Sequence, residues 1–599
     1  MDVRGLKRIV PFEKNKLAFL VADLSIVTVI LVLGFGLARF LSISNAPFIA
    51  ESPIDTSLGS LPVYALLSLV RGLLSLILSY IVALIFGTLA ARKPTYEKII
   101  IPVMDVLQCL PVVSFMPGFI FALTTLFPNS RWGLEFACIL MIFTGQAWNL
   151  VFAYYESQCT LSNDLRDVSK IAGLGAARQF TLVDLPNGIR PLVYNGMMSM
   201  AGGWFFLTVC EAFPLGSKNF RLPGLGSYMK LAFEEQKTTS FVSGLIVMSL
   251  IILGLDFILW RPLIAWAGRF RDEDSGEESS AFLAILEKTN IGPFVIDAFK
   301  SIREKFFPDD SHESQSHRFI EFAKTTPFVK LPQKAWVIVA QATSQHTFRE
   351  IPWAVWFITF GLGAFAFNLL VNLPSLAHTI GQVPEKTWIR LIHSLFLSTG
   401  RVVAVVVLST LWTIPVGVWI GKNPRIAKLL QPFVQDIAAF PAPMIFPLLA
   451  MILIQWGWTP NLIAITLMVI GNQWYLFFNV LSGASRIPED LKLVARTYQL
   501  TLWQRWRFLY FPAIFPSLVT GWITAAGGSW NASIVAEYVS FPGGESRAEG
   551  IGLELTQASA QGDNVTLAAA VCVLTIAIIV LNRTLWRTLQ LSAERLRPS

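Results

Sequence analysis

Charge is scarce in this sequence: Asp, Glu, Lys and Arg make up only 14% of its 599 residues, against 54% hydrophobic, a balance outside the range of soluble chains. That deficit excludes an ordinary water-soluble domain. Cysteine is rarer still, and Cys109, Cys138, Cys159, Cys210 and Cys572 fall mostly within apolar stretches without metal-ligand spacing, so they read as packing residues. His312 and His317 lack both a helical context and further ligands, and read as solvated rather than as a metal pair. The nearest approach to a phosphate loop, Gly417-Val-Trp-Ile-Gly421-Lys422-Asn423, has one residue too few between its glycines and Asn where a Mg²⁺-binding hydroxyl is needed. It reads as a helix terminus. With no metal cluster and no nucleophile-base constellation, the chain is expected to bind no cofactor and to catalyse no bond-making itself.

What the sequence does have is long apolar runs. A span needs about 20 apolar residues to cross roughly 30 Å of hydrocarbon. Six such runs fall in each half, near 17–41, 62–90, 100–127, 133–156, 190–212 and 240–262, then 352–373, 390–421, 430–456, 459–482, 514–538 and 564–586. The expected fold class is an all-α polytopic membrane protein of about twelve spans. The first run is too long for a signal-peptide core and no small-residue cleavage site follows it, so it reads as a retained helix.

The formal charge of +8 is explained by where it sits. Lys and Arg collect before the first run, after the second (Arg92, Lys93, Lys98), after the fourth (Arg166, Lys170, Arg178, Arg190) and after the sixth (Arg261, Arg269, Arg271). These alternate loops are therefore expected in the cytoplasm, with both termini. The excess sets topology, and no nucleic-acid partner is implied.

The chain is also a duplication. A shift of 330 residues matches Ser68 with Ser398, Arg71 with Arg401, Pro94 with Pro424, Pro111 with Pro441 and Pro117 with Pro447. Beyond the loop FPNSRWG a shift of 326 matches Gly145 with Gly471, Trp148 with Trp474, Pro186 with Pro512, Trp204 with Trp530, Glu211 with Glu537 and Trp260 with Trp586. An even number of spans per copy makes the repeats parallel, with a pathway expected where they meet. The expected organisation is a first repeat over 1–270, a charged cytoplasmic linker over 271–350 and a second repeat over 351–599. Within the linker, AFLAILEKTNIGPFVIDAFKSIREKFF suits amphipathic helices lying on the lipid surface or on a partner.

The most specific signal is a loop present twice, over 157–189 and 483–513: a polar, basic, helix-compatible segment that ends in Leu185-Pro186 and in Phe511-Pro512. Thirteen residues before Pro186 stands Gly173, preceded by Asp167-Val168-Ser169; thirteen before Pro512 stands Gln499, preceded by Leu493-Val494-Ala495. The pattern suits a short helix, a tight turn and a second helix stopped by proline. It resembles the permease subunits of binding-protein-dependent ABC importers, whose cytoplasmic loop carries Glu-Ala-Ala, a Gly three residues on, and a later Leu-Pro pair. Copy one keeps an acid and the glycine; copy two keeps the spacing, Ala495 and the proline.

Within that superfamily AGGWFFLTVCEAF (201–213), GGSWNASIVAEYV (527–539), PGLG (223–226) and EGIG (549–552) are most similar to the nitrate, sulfonate, taurine and bicarbonate group. The resemblance implies a bacterial inner-membrane permease with both halves fused. It implies two separate ATPase subunits, which bind ATP and Mg and dock on the loops, and a periplasmic or lipid-anchored binding protein that delivers a small anion. A fused ferric-iron or thiamine-type permease is the alternative, and a twelve-span secondary transporter a more distant one.

Four charges within the apolar runs call for a role. Arg71 lies 22 residues before Lys93 and Glu211 lies 21 after Arg190, so at about 1.5 Å per residue both sit roughly 30 Å from the cytoplasmic face. Arg71 with Glu211, and Arg401 with Glu537, are expected to pair across helices, the glutamates forming a gate and the arginines attracting substrate. Trp204 and Trp530, seven residues before those glutamates, and Asn531 beside them are expected on the pathway, where Gly202, Gly203, Gly527 and Gly528 would let the two repeats approach.

Overall fold

A computed structural model describes Thr28 and residues 31–47, 52–109, 111–171, 176–215, 218–268 and 378–594. The linker over 271–350, the expected span near 352–373, His312, His317 and Gly173 lie outside the described residues. Among the described residues the chain divides into two units, one holding 153–193 and 261–268, the other holding 33–152, 194–260 and 378–594.

Among the described residues seven helices are long and apolar enough to cross a membrane: Leu61–Arg92, Trp132–Cys159, Thr238–Ile264, Glu385–Gly421, Pro460–Ser485, Leu502–Ala536 and Asn564–Ala593. Their ends follow from sequence. Leu61–Arg92 carries Pro62 in its first turn, where a missing N–H costs nothing, and stops at Lys93, before Pro94, with that residue in extended conformation. The phosphate-loop lookalike is the C-terminus of Glu385–Gly421, with Lys422 as its cap.

The third run of each repeat departs from the expected single span. It is a helix, a break and a second short helix: Pro94–Cys109 then Met116–Leu126, and Pro424–Ala439 then Phe446–Gln455. The matched prolines account for this. Pro111 and Pro441 hold extended backbone, a single 3-10 turn follows, and Pro117 and Pro447 restart the helix in its first turn.

A second departure concerns Pro186 and Pro512, which begin the fifth-run helices Leu185–Cys210 and Phe511–Ala536 instead of ending the loop helices. Each loop enters its helix through one wide π turn, Phe180–Asp184 and Trp506–Tyr510, in which the N–H of Leu185 reaches the Phe180 carbonyl and that of Phe511 reaches the Trp506 carbonyl. Proline has no N–H to continue the α pattern, and the wider turn accommodates it. After each fifth-run helix comes an antiparallel hairpin too short to be read from periodicity, Ala212–Leu215 with Lys218–Arg221 and Tyr538–Phe541 with Gly544–Arg547. A short helix follows each hairpin, Leu225–Glu234 and Ile551–Gln561.

Candidate functional site

The paired charges are placed by three elements in each repeat. Arg71 comes from the middle of Leu61–Arg92, Glu211 caps the end of Leu185–Cys210, and the N-terminus of Leu225–Glu234 closes on both. Arg71 Nη1 donates to Glu211 Oε1 at 2.7 Å and to the Pro223 carbonyl at 2.9 Å. The carboxylate also accepts from Ser68 Oγ at 2.6 Å and from the N–H of Gly226 at 2.7 Å, while Ser68 Oγ takes the N–H of Leu225 at 2.8 Å. An anion at a helix N-terminus satisfies otherwise unpaired N–H groups and the helix dipole.

The second repeat reproduces this arrangement. Arg401 Nη1 donates to Glu537 Oε1 at 2.7 Å, Ser398 Oγ to the same oxygen at 2.6 Å, and the N–H of Gly552 to Oε2 at 2.8 Å, while Arg401 Nη2 reaches the Glu549 carbonyl at 2.5 Å. The glycines of PGLG and EGIG exist for this contact. A Cβ on Gly224 would lie 2.3 Å from Glu211 Oε1, and one on Gly550 would lie 2.3 Å from Glu537 Oε2.

One partner was not foreseen from sequence. Arg71 Nε and Nη2 form a two-pronged bond to Glu135 at 2.6 and 2.8 Å, whereas at the matched position the second repeat has Asn461, bonded to Arg401 Nη2 at 2.5 Å. The available signal was Glu135, an acid in the first turn of Trp132–Cys159. The first cluster therefore brings two carboxyl groups to one guanidinium and the second brings one. Arg71 is 0% exposed and Arg401 5%, with their heads occupied by these partners, so neither presents a free cation to a passing anion.

A cavity of about 220 Å³ lies between the repeats, with Thr144, Trp148, Asn149 and Trp204 on one wall and Asn472, Trp474, Tyr475 and Asn531 on the other. Of the residues expected on the pathway, Trp204 and Asn531 line this cavity, and Trp530, 3% exposed, does not. The small residues act mainly inside each repeat: a Cβ on Gly203 would strike Gln146 and one on Gly528 would strike Asn472, both on the preceding span of the same copy.

In the first loop, the helix Asn163–Ile171 is anchored by Arg166 Nη2 to the Gln158 carbonyl at 2.5 Å, and Gln158 Nε2 to the Asp184 carbonyl at 2.7 Å ties in the π turn. Asp167 and Val168 are exposed, Ser169 is buried, and Leu185 and Pro186 are half-buried. In the second, Glu489–Thr497 leads to Gln499, whose φ of 46° puts it in the left-handed region favouring glycine. Thr501 and Gln504 then form a capping box. Ala495 is buried, whereas Leu493, Val494, Tyr498, Leu502, Trp503, Phe508 and Phe511 are exposed, and Pro512 is half-buried.

Comparison with known proteins gives two matches within the chain, over residues 83–259 and 413–597, to the family described as binding-protein-dependent transport system inner membrane component. Among individual relatives, the bicarbonate transport system permease protein CmpB of Synechococcus elongatus is 30% identical over 126 residues, covering 21% of this chain and 44% of that protein. The nitrate import permease protein NrtB of Synechocystis is 29% identical over 143 residues, 24% of this chain and 50% of the relative. NrtB of Leptolyngbya laminosa is 25% identical over 258 residues, 39% and 84% respectively. The chain thus spans about half the length of the first two.

Proposed function

The chain belongs to the family of binding-protein-dependent transport system inner membrane components, and from that premise we propose that it supplies both membrane halves of an ATP-driven importer for a small anion, nitrate, bicarbonate or a sulfonate such as taurine. The observation that carries this reading is the cavity between two homologous repeats of one polypeptide, each repeat with the same buried Arg–Glu–Ser cluster. Two copies of a separate ATPase bind ATP and Mg and close against the cytoplasmic loops. Their exposed apolar side chains support that docking, since Val168, Ile171 and Leu182 on the first loop and Leu493, Val494 and Trp503 on the second face solvent. A periplasmic or lipid-anchored binding protein delivers the anion from outside, and alternating access carries it inward past the clusters.

The clusters act as gate hinges: each ties the second, fourth and fifth runs to the N-terminus of the short helix that follows the hairpin. Their bonds must hold in one state and shift in the other for the pathway to open. Proteoliposomes containing the chain and its ATPase test the assignment. ATP-driven uptake of nitrate, bicarbonate or taurine is expected from wild type and is expected to fall at least tenfold in Arg401→Ala and Glu537→Ala, about 1.4 kcal/mol or more of lost coupling. Unchanged uptake in both well-folded variants would remove the gate.

A further inference from the structure

The repeats also meet away from the Arg–Glu clusters, and there the matched residues trade roles. The helix Asn564–Leu581 of the second repeat contacts Pro94–Cys109 of the first, and Thr238–Leu255 of the first contacts Pro424–Ala439 of the second. Asn582, 8% exposed at the end of one sixth-run helix, donates through Nδ2 to Asp105 Oδ2 at 3.2 Å. Asp105 Oδ1 accepts from Gln108 Nε2 at 2.8 Å, so both oxygens are engaged. Under the shifts that align the repeats, Asp105 matches Gln435 and Asn582 matches Asp256. One interface thus has its acid on the third run and its amide on the sixth, and the other has them exchanged. Gln108, Gln435 and Asp256 all line the cavity.

Each sixth-run helix begins beyond the short helix that closes on an Arg–Glu cluster and runs 18 residues, about 27 Å, away from it. Asp256 and Asn582 therefore stand at the opposite end of the bundle. Each also begins a π turn, Asp256–Trp260 and Asn582–Trp586, the kind of irregularity at which helices kink and which recurs at functional sites. The chemistry suits a contact that has to part and re-form. Two acids facing each other repel, two amides bind weakly, and a buried acid–arginine pair is costly to separate. A carboxylate with an amide is directional and charge-assisted, and water can replace either partner.

We propose that Asp105–Asn582 and Asp256–Gln435 are twin acid–amide latches that hold the third run of each repeat to the sixth run of the other and close the cavity at the end remote from the Arg–Glu clusters. The inference rests on the transporter reading above and adds a second gate to it. The clusters tie elements within one repeat, whereas the latches tie the two repeats together and part when the halves separate.

The test uses the full chain in lipid nanodiscs, its native cysteines replaced by alanine and Thr524→Cys on the cavity wall as the single thiol. Its rate of reaction with a membrane-impermeant maleimide is measured at about pH 8, where the aspartates are ionised. Asn582→Asp sets two carboxylates against each other and is expected to speed labelling about tenfold. Asp105→Asn leaves amide facing amide and speeds it severalfold, as does Asp256→Asn at the other latch. Asp105→Asn combined with Asn582→Asp rebuilds the exchanged arrangement of the other interface, and labelling returns to within about twofold of the parent, a rescue that general destabilisation would not give. The two Asp→Asn variants keep side-chain size and carry the test if Asn582→Asp fails to fold. Unchanged labelling in the single variants, or an exchanged pair labelled as fast as Asn582→Asp alone, overturns the latches. Labelling needs no ATPase, so failure of an ATPase to co-purify strikes the transporter reading instead.

Discussion

A guanidinium taken wholly out of water loses its hydration, and only close carboxylates and carbonyls compensate. Arg71 has two carboxylates and one carbonyl, Arg401 one carboxylate, one carbonyl and one amide. Removing a principal partner from such a site typically costs about 3–5 kcal/mol. Glu537→Ala, which leaves Arg401 without any carboxylate, is therefore expected to destabilise the chain more than Glu135→Gln, which gives the first cluster the amide chemistry that Asn461 already supplies in the second. Thermal unfolding of the two variants in detergent checks this, and equal losses would contradict it. Gln499 offers the opposite sign. A side chain at φ 46° is strained by about 1 kcal/mol relative to glycine, so Gln499→Gly is expected to raise stability slightly and not to lower it. Gly550→Ala drives a methyl into Glu537 and Arg401 and should cost about 1–3 kcal/mol or force the pair apart.

At the scale of elements, the described parts of the loops are short helices with several apolar side chains exposed, among them Val168 and Ile171 on the first and Leu493, Val494 and Trp503 on the second, the surface on which the proposed ATPase would dock. Replacing Val494 or Trp503 with Asp puts a charge on that surface without touching the buried Ala495, so ATPase association should fall while the fold survives; pull-down with circular dichroism separates the two. The loops are also unlike. Copy one retains Asp167 and Gly173, while copy two has Gln499, without a glycine, in a left-handed turn. Disruption of Gly173 by Val is accordingly expected to abolish stimulated ATP hydrolysis more completely than Gln499→Val, and equal effects would refute unequal coupling.

At the scale of the whole molecule the duplication organises everything, and it was legible because the matched residues are those whose chemistry permits few substitutes: Arg71 with Arg401, Glu211 with Glu537, Pro111 with Pro441. The pairing of those charges could be anticipated because isolated charges in apolar runs need partners. Glu135 could not be ranked above other acids near a helix start, since its match is Asn461 and the repeat comparison hides it. The broken third runs were lost for another reason: their apolar composition continues across Pro111 and Pro441, and hydropathy does not register a change of backbone direction. The hairpins, at four residues per strand, fall below any periodic signal.

The central claim is that one chain forms both halves of an ATP-driven importer. Gentle-detergent purification of the tagged full chain, with mass measurement of the complex, tests it most directly. The account predicts two ATPase subunits per chain, with ATP hydrolysis stimulated by the transported anion; recovery of the chain alone, without any ATPase, would contradict it.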